Sequence, residues 1–489
     1  MTRAAELRFA GTVAGVFLAV SLAKIFTHEP WRDEWGPWGI ASASEGLRQL
    51  WQALPYEGHS RLWYFLVFAL ERTTGRFEAV QLLSAVLATL SVWVVARFAP
   101  FGRWARGLFA LGYYPLFEYG SIARPYSIAL AAACVAACCF SRARREPLPL
   151  AVALAVLAQT TIYGVILAAA FGAAWLADRV SARLGDRAGA TRSWIAAGII
   201  GVSLVAAVAQ MVPPSDSKFA RRWHTHWEPS RVVHVVATVA RGVAPLPRPQ
   251  AQFWNSHVLD RHLRIKSVVG AAILVGSAAL LVGSPPALVL WIVASAGLLG
   301  FEYLKYEGYA RHQGHLFLAF LTSAWLVVEA QQSGRSRTKM AAAWPVTLGL
   351  VLTVNAAAGL LAVAIDAALP FSTAAAAAQA IRARGLADLP AVGRRGSTTA
   401  AVAAALGRPI ALAGTGRVST FVRWDRTYAV PSLQRTLQEA RRLAAARHSA
   451  ALLILDTPLL EPGPRVVRVA SMEEPIVRDE RFHLYLVRP

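Results

Sequence analysis

Charge, lysine and cysteine are all scarce in this sequence. Only 16% of its 489 residues are charged, against about 25% in ordinary soluble domains. That is too little charged surface to cover the cores of a soluble chain this long. Soluble-enzyme, fibrous and disordered classes therefore fall away. The three cysteines, Cys134, Cys138 and Cys139, share one apolar stretch. They read as small buried apolar residues, not as a disulfide frame or a zinc site. Lysine occurs only at positions 24, 218, 266, 305 and 339, so the net charge of +22 is carried mostly by arginine. Many of those arginines lie in short loops between apolar runs, where they set topology. Nucleic acid is excluded as a partner on that ground. Walker and dinucleotide glycine patterns are missing too, and Gly414-Thr415-Gly416 reads as a turn.

What the chain does have is apolar sequence. The apolar set makes up 56% of it, in runs near membrane-span length from end to end. The expected fold class is a polytopic α-helical membrane protein with about eleven spans: 9–26, 79–98, 107–119, 122–140, 148–163, 165–176, 194–212, 268–282, 287–301, 316–328 and 341–369. The first run follows Arg3 and Arg8 as a signal peptide would. It lacks a small-x-small cleavage site, so it reads as a retained anchor. With the N-terminus inside, the inner segments carry Arg3, Arg8, Arg97, Arg103, Arg106, Arg142, Arg144, Arg145, Arg179, Arg183, Arg187, Arg192, Arg335, Arg337 and Lys339. Against these stand Glu6, Glu146, Asp178, Asp186 and Glu329. The positive-inside rule fits that orientation. The segments 27–78, 118–124, 213–267 and 302–315 then face out, with everything after 370.

Two amphipathic stretches in the first outer loop, 42–54 and 61–72, are expected as helices lying along the membrane face, and 231–241 as a third. Residues 1–369 thus form the transmembrane domain. From 370 to 489 helical and strand patterns alternate, which predicts a small outward α/β domain. Helices are expected at 374–384, 398–406 and 433–446. Strands are expected at 391–392, 409–412, 420–422, 451–456, 466–469 and 484–487.

Three clusters could carry chemistry, all outward. The first is His28-Glu29-Pro30-Trp31-Arg32-Asp33-Glu34-Trp35-Gly36-Pro37-Trp38. Its tryptophans read as interface anchors. Its adjacent carboxylates, Asp33 and Glu34, suit a general base or a metal ligand. The second is the tight turn from Glu118 to Tyr126. There Arg124 sits outward against the topological bias, placed to grip a phosphate or to pair with Glu118. The third runs from Glu302 to His315. In it Lys305, Arg311 and His312 suit an anion, and His312 and His315 could share a helix face as metal ligands, although spacing fixes no third ligand. His224, His226 and His234 form a looser set, read as a solvated interfacial loop.

In this order the residues resemble the GT-C superfamily of integral-membrane glycosyltransferases, in the branch of the protein O-mannosyltransferases and aminoarabinose transferases. Asp33-Glu34 matches that group's pair in the first outer loop. His59-Ser60-Arg61-Leu62-Trp63-Tyr64 loosely matches its His-Pro-Pro-Leu-Tyr-Tyr segment, without the prolines. Thr74-Gly75-Arg76-Phe77-Glu78 matches the opening of the second span. Ile122-Ala123-Arg124-Pro125-Tyr126 matches the Glu-Ala-Arg-x-Tyr turn. The motifs cover roughly residues 9–176. The resemblance implies a polyprenyl-phosphate sugar as donor, and a lipid, glycan or protein acceptor. Asp33 would be the base and Glu34 would orient it, the acceptor or a metal. Arg124 is the first candidate for the lipid phosphate, then Lys305 and Arg311, with Tyr126, Glu118, His59 and His312 nearby. No cofactor is required, and a divalent metal is compatible with the carboxylate pair. The implied location is a bacterial cytoplasmic membrane, with membrane lipids as surroundings. A transporter or lipid flippase and a non-catalytic scaffold are the competing classes. The first would show repeats or mid-membrane charge, which the span centres lack. The second has no need of Asp33-Glu34 beside an outward arginine.

Overall fold

The computed structural model describes residues 2–181, 187–220, 223–335 and 343–489. Arg183, Asp186, Arg337, Lys339, the side chain of Arg187 and the first two residues of the expected last span lie outside this set. Among the described residues, nine helices are long and apolar enough to cross a membrane: Arg3–Ile25, Glu78–Phe98, Tyr126–Arg144, Ile162–Ser181, Ala190–Met211, Leu263–Leu281, Pro285–Leu304, Ala310–Gln332 and Trp344–Ala368. The chain is a polytopic helical membrane protein.

Two of the expected spans take other forms. The stretch 107–119 is broken into a helix Arg103–Ala110 and a wide π-turn Tyr113–Glu118. Pro115 has no amide to give a helical ladder. Behind it the chain doubles back so tightly that a Cβ on Gly120 would lie 2.0 Å from the Pro115 carbonyl oxygen. The stretch 148–163 is a helix of 12 residues, Pro147–Ala158, that stops at a turn before the next span. That is shorter than a straight crossing needs.

Ion pairs gather the arginine-rich loops at one end of the bundle. Glu6 takes Arg106 at 2.9 Å and Arg103 at 3.2 Å. Arg144 forks onto Asp178 at 2.6 and 2.7 Å. The Gln332 amide donates to the Pro100 carbonyl at 2.9 Å. The three candidate clusters lie at the other end.

The first loop holds three helices rather than two: Arg32–Ala43, Leu47–Ala53 with a 3-10 turn Leu54–Tyr56, and Leu62–Thr74. The first of them was hidden by its one proline and two glycines, which lower helix propensity. It is not a membrane-surface helix. Trp31, Trp35 and Trp38 are 2–8% exposed, so they are core residues and not interface anchors. Trp35 and Trp38 pack on Phe77 at ring separations of 4.4 and 5.7 Å. The helix's other face meets the C-terminal domain. A Cβ on Gly39 would come within 2.3 Å of the Thr420 carbonyl oxygen, and the Thr420 hydroxyl donates to the Gly39 carbonyl at 2.8 Å. The helix expected at 231–241 is present as Pro229–Val243.

The C-terminal domain is a six-stranded sheet of β1 (Ala391–Gly393), β2 (Ile410–Leu412), β3 (Arg417–Ser419), β4 (Ala451–Leu455), β5 (Val466–Met472) and β6 (Phe482–Val487), in the order β3-β2-β1-β4-β6-β5. β1 runs parallel to β2 and β4, and the other pairs are antiparallel. β4 is wholly apolar because both its faces are covered. Leu452 and Ile454 pack with the helices Ala374–Ala383 and Gly396–Leu406, while Leu453 and Leu455 pack with Leu433–Ala446. The expected strand at 420–422 lies at Arg417–Ser419 instead. Thr420 leaves the sheet to dock on Gly39.

Candidate active site

The helix Arg32–Ala43 sets the site. Its first turn carries Asp33 and Glu34, where carboxylates complement the positive end of the helix. Its opening amides are satisfied from two directions. The Trp31 amide donates to Glu34 Oε2 at 3.1 Å. The Arg32 amide donates to Glu480 Oε1 at 3.0 Å, from the far end of the chain. Pro37 has no N–H, so the Asp33 carbonyl four residues earlier loses its helical partner. A guanidinium N–H of Arg124 donates to that carbonyl instead. One proline thus draws the arginine of the second cluster to the aspartate of the first.

Three guanidinium groups surround the Asp33 carboxylate: Arg311 at 3.4 Å, and Arg124 and Arg32 at 4.0 Å. The carboxylate stays 27% exposed while Arg124 and Arg311 are nearly closed off. Burial works to raise the Asp33 pKa, but Arg124, Arg311 and Arg32 outweigh it and hold the carboxyl below its ordinary 3.8. Arg311 is aimed by an aromatic cage, with Tyr309, Trp31 and Trp254 ring centres 4.9, 5.1 and 5.6 Å from its guanidinium carbon. The Nε atoms of Arg124 and Arg311 are buried and have no hydrogen-bond partner. Arg32 is also held by Asp479 at 2.7 Å and Glu480 at 3.5 Å, so Arg124 and Arg311, which share Asp33 and keep two donors unspent, are the cations suited to an anion.

Glu34 does different work. It is 1% exposed. Oε1 accepts the Ala123 amide at 2.7 Å, which ties the Arg124 turn to the helix. Oε2 faces His28 Nε2 at 3.2 Å, His28 Nδ1 faces Asp366 at 3.0 Å, and Asp366 takes Lys24 Nζ at 2.7 Å. This buried relay joins the first and last spans to the site. Burial opposes charge on His28, but the Asp366 and Glu34 carboxylates prevail and raise its pKa from 6.5 to about 9. A raised folded-state value has a definite sign. The stability that His28 contributes is complete below about pH 6.5 and is lost as pH rises through about 9. Melting temperature measured from pH 6 to 10 should show that decline, and His28→Gln should abolish it. A parallel decline in the variant would refute the relay.

Of the other sequence candidates, Arg124 does not pair with Glu118. Glu118 Oε2 instead accepts the Tyr113 hydroxyl and the Trp254 indole N–H, both at 2.9 Å. Tyr126 is buried and stacked on Tyr119 at 5.4 Å. His312 Nδ1 accepts the Tyr309 amide at 2.9 Å, while His315 Nδ1 bonds the His312 carbonyl at 3.0 Å. Local capping therefore engages the Nδ1 atom of each ring, and no third ligand stands with them among the described residues. Lys305 holds its ammonium over the Trp223 ring at 5.2 Å and is not among the cations around Asp33. His59 does face that group. Burial, then Arg124, lowers its pKa to about 3 against the pull of Asp33, so the ring is neutral. A divalent cation does not fit Asp33-Glu34, because both Glu34 oxygens are engaged and Asp33 is ringed by arginines.

Sequence reasoning missed Lys24, His28, Asp366, Glu480 and Glu57. The first and third had a signal, as opposite charges in the last turns of otherwise apolar spans. Glu57 accepts the Tyr64 hydroxyl at 3.0 Å, and burial raises its pKa to about 7. Glu480 had no signal. Replacing it by alanine should cost about 1 kcal/mol of local stability, as loss of a helix cap does. Hydrogen exchange would show faster exchange at the amides of residues 32–35, with β4 unchanged. Unaltered protection at 32–35 would remove Glu480 from the site.

No protein-family model matches the chain, and no curated protein matches it. Two solved structures do, both of ArnT from Cupriavidus metallidurans. The one bound to undecaprenyl phosphate is 14% identical with a TM-score of 0.50, over 97% of each chain. The apo state is 15% identical with a TM-score of 0.48, over 97% of each chain. The first likeness shows the fold. That likeness runs from the first span through the C-terminal sheet.

Proposed function

We propose that the chain is an inverting glycosyltransferase that moves a sugar from a polyprenyl-phosphate donor to an acceptor hydroxyl. The observation that carries this reading is the half-open Asp33 carboxylate among Arg32, Arg124 and Arg311, two of them with unspent Nε donors. The ArnT relative with the same fold binds undecaprenyl phosphate, and a lipid phosphate suits these arginines here.

The chemistry follows from the charges. The acceptor oxygen attacks the sugar C1 and its proton passes to an Asp33 oxygen. The C1–O bond to phosphate breaks on the opposite side, and the electron pair leaves with the lipid phosphate. Arg124 and Arg311 stabilise that developing charge in a poorly solvated site. Glu34 is a positioning residue, since it holds the Arg124 turn and not the reacting atoms. The arginine-rich end of the bundle marks the cytoplasmic face, so transfer occurs at the outer face of a bacterial cytoplasmic membrane. The domain 370–489 lies outside and completes the Asp33 helix.

The test is sugar transfer by purified protein in lipid, from a panel of radiolabelled polyprenyl-phosphate sugars to crude membrane acceptors. Transfer by the wild type that is lost in Asp33→Asn, with melting behaviour intact, supports the reading. Failure to bind any donor across the panel would overturn it.

A further inference from the structure

His224, His226 and Glu228 are spaced two apart on an irregular segment that bends at His226, just before the helix Pro229–Val243. The structure brings their ligand atoms within 4.8 Å of one another. His224 Nε2 lies 3.5 Å from Glu228 Oε2. Zinc bonds of about 2.0–2.1 Å at tetrahedral angles place neighbouring ligand atoms roughly 3.3–3.4 Å apart. His234 is not part of the group, since its Nδ1 bonds the Ser230 carbonyl one turn back on its own helix.

The segment is also held in place. The His224 amide donates to the Leu304 carbonyl, the Tyr303 hydroxyl to the His226 carbonyl and the Glu228 amide to the Tyr303 hydroxyl, each at 2.8 Å. The end of one membrane helix thus fixes the backbone beneath all three side chains. Ser230 donates to Glu228 Oε1 at 2.7 Å and leaves the other oxygen for a ligand. Among the described residues, two nearby cations are turned elsewhere. Arg231 Nε donates to the Tyr303 carbonyl at 2.6 Å, and Lys305 lies over Trp223.

We propose that His224, His226 and Glu228 form a zinc site with a fourth position open to water. Two imidazoles and one carboxylate suit a borderline-soft divalent ion, whereas magnesium and calcium call for more oxygen ligands. The ion fixes a positive charge beside the turn that leads into Arg311. It takes no part in the transfer at Asp33, and the proposal does not rest on that reaction.

The test is direct metal binding. The tag-free, EDTA-stripped protein in detergent is titrated with zinc against a competing indicator, and bound zinc is counted by elemental analysis. One zinc per chain with micromolar or tighter affinity is expected. His226→Ala should weaken it by more than about 100-fold, beyond the 10–100-fold typical of a residue behind the ligands. His234→Ala and Asp33→Asn should bind as wild type does. His226 is exposed, and melting in EDTA checks that its variant is folded. Wild-type affinity in His226→Ala, or no zinc taken up at micromolar concentration, would overturn the proposal.

Discussion

Asp33→Asn should lower kcat by on the order of 10²–10⁴-fold, the usual contribution of one positioned base, while donor binding holds or tightens. The amide keeps the shape of the carboxylate and still accepts from Arg311. It removes the carboxylate that Arg124 and Arg311 share, while Arg32 keeps Asp479 at 2.7 Å and Glu480 at 3.5 Å, so a lipid phosphate meets a more positive site. A variant that loses donor affinity and keeps its turnover would reverse these roles. The pH profile adds a second check. The arginines hold the free Asp33 carboxyl below its ordinary 3.8. The acidic limb of kcat/KM, which reports the free enzyme, should therefore lie below that value. Phosphate binding offsets part of the arginine charge, so the limb of kcat, which reports the complex, should lie at higher pH. Coincident limbs would mean that the phosphate does not share these arginines with Asp33.

Asp366→Asn should destabilise the folded protein by roughly 3–5 kcal/mol, the range for breaking a buried ion pair from one side. Asp366 is 1% exposed and pairs with both Lys24 and His28. Its loss leaves two cations inside the fold with only Glu34 to answer them. Thermal melting in detergent reads the effect directly. Adding Lys24→Met should recover part of the loss, since it removes one stranded charge. Wild-type melting in Asp366→Asn would show that water or lipid headgroups already solvate the relay.

Most spans were legible because apolar length is a local signal. Of the eleven expected spans, 107–119 and 148–163 were misjudged where Pro115 and the turn after Ala158 interrupt runs that stay apolar. Asp33, Arg124 and Arg311 were each legible as charges out of place at a membrane face. Their convergence was not, since Pro37 frees the carbonyl that Arg124 takes and only a folded helix shows which carbonyl that is. Glu34 was read as a partner in chemistry, and its burial makes it a clamp. The tryptophans at 31, 35 and 38 were read by residue type, which cannot tell a lipid surface from a protein core. Glu480 was out of reach because a cap 448 residues away leaves no local pattern.

That separation sets an order of assembly. The helix bearing Asp33 is translated near the start of the chain, yet Glu480 and the Thr420 docking surface reach it only after nearly the whole sequence has been made. At about 5–20 residues per second the wait is on the order of 20–90 s. Lys24 and His28 must likewise wait for Asp366, and charges without partners stay near water because burying them alone is costly. A chain truncated before residue 420 therefore lacks the Glu480 cap and the Thr420 docking contact of the helix that bears Asp33. The last contacts of the Asp33 helix thus form only once residues 420–480 have been made, long after insertion of the first span.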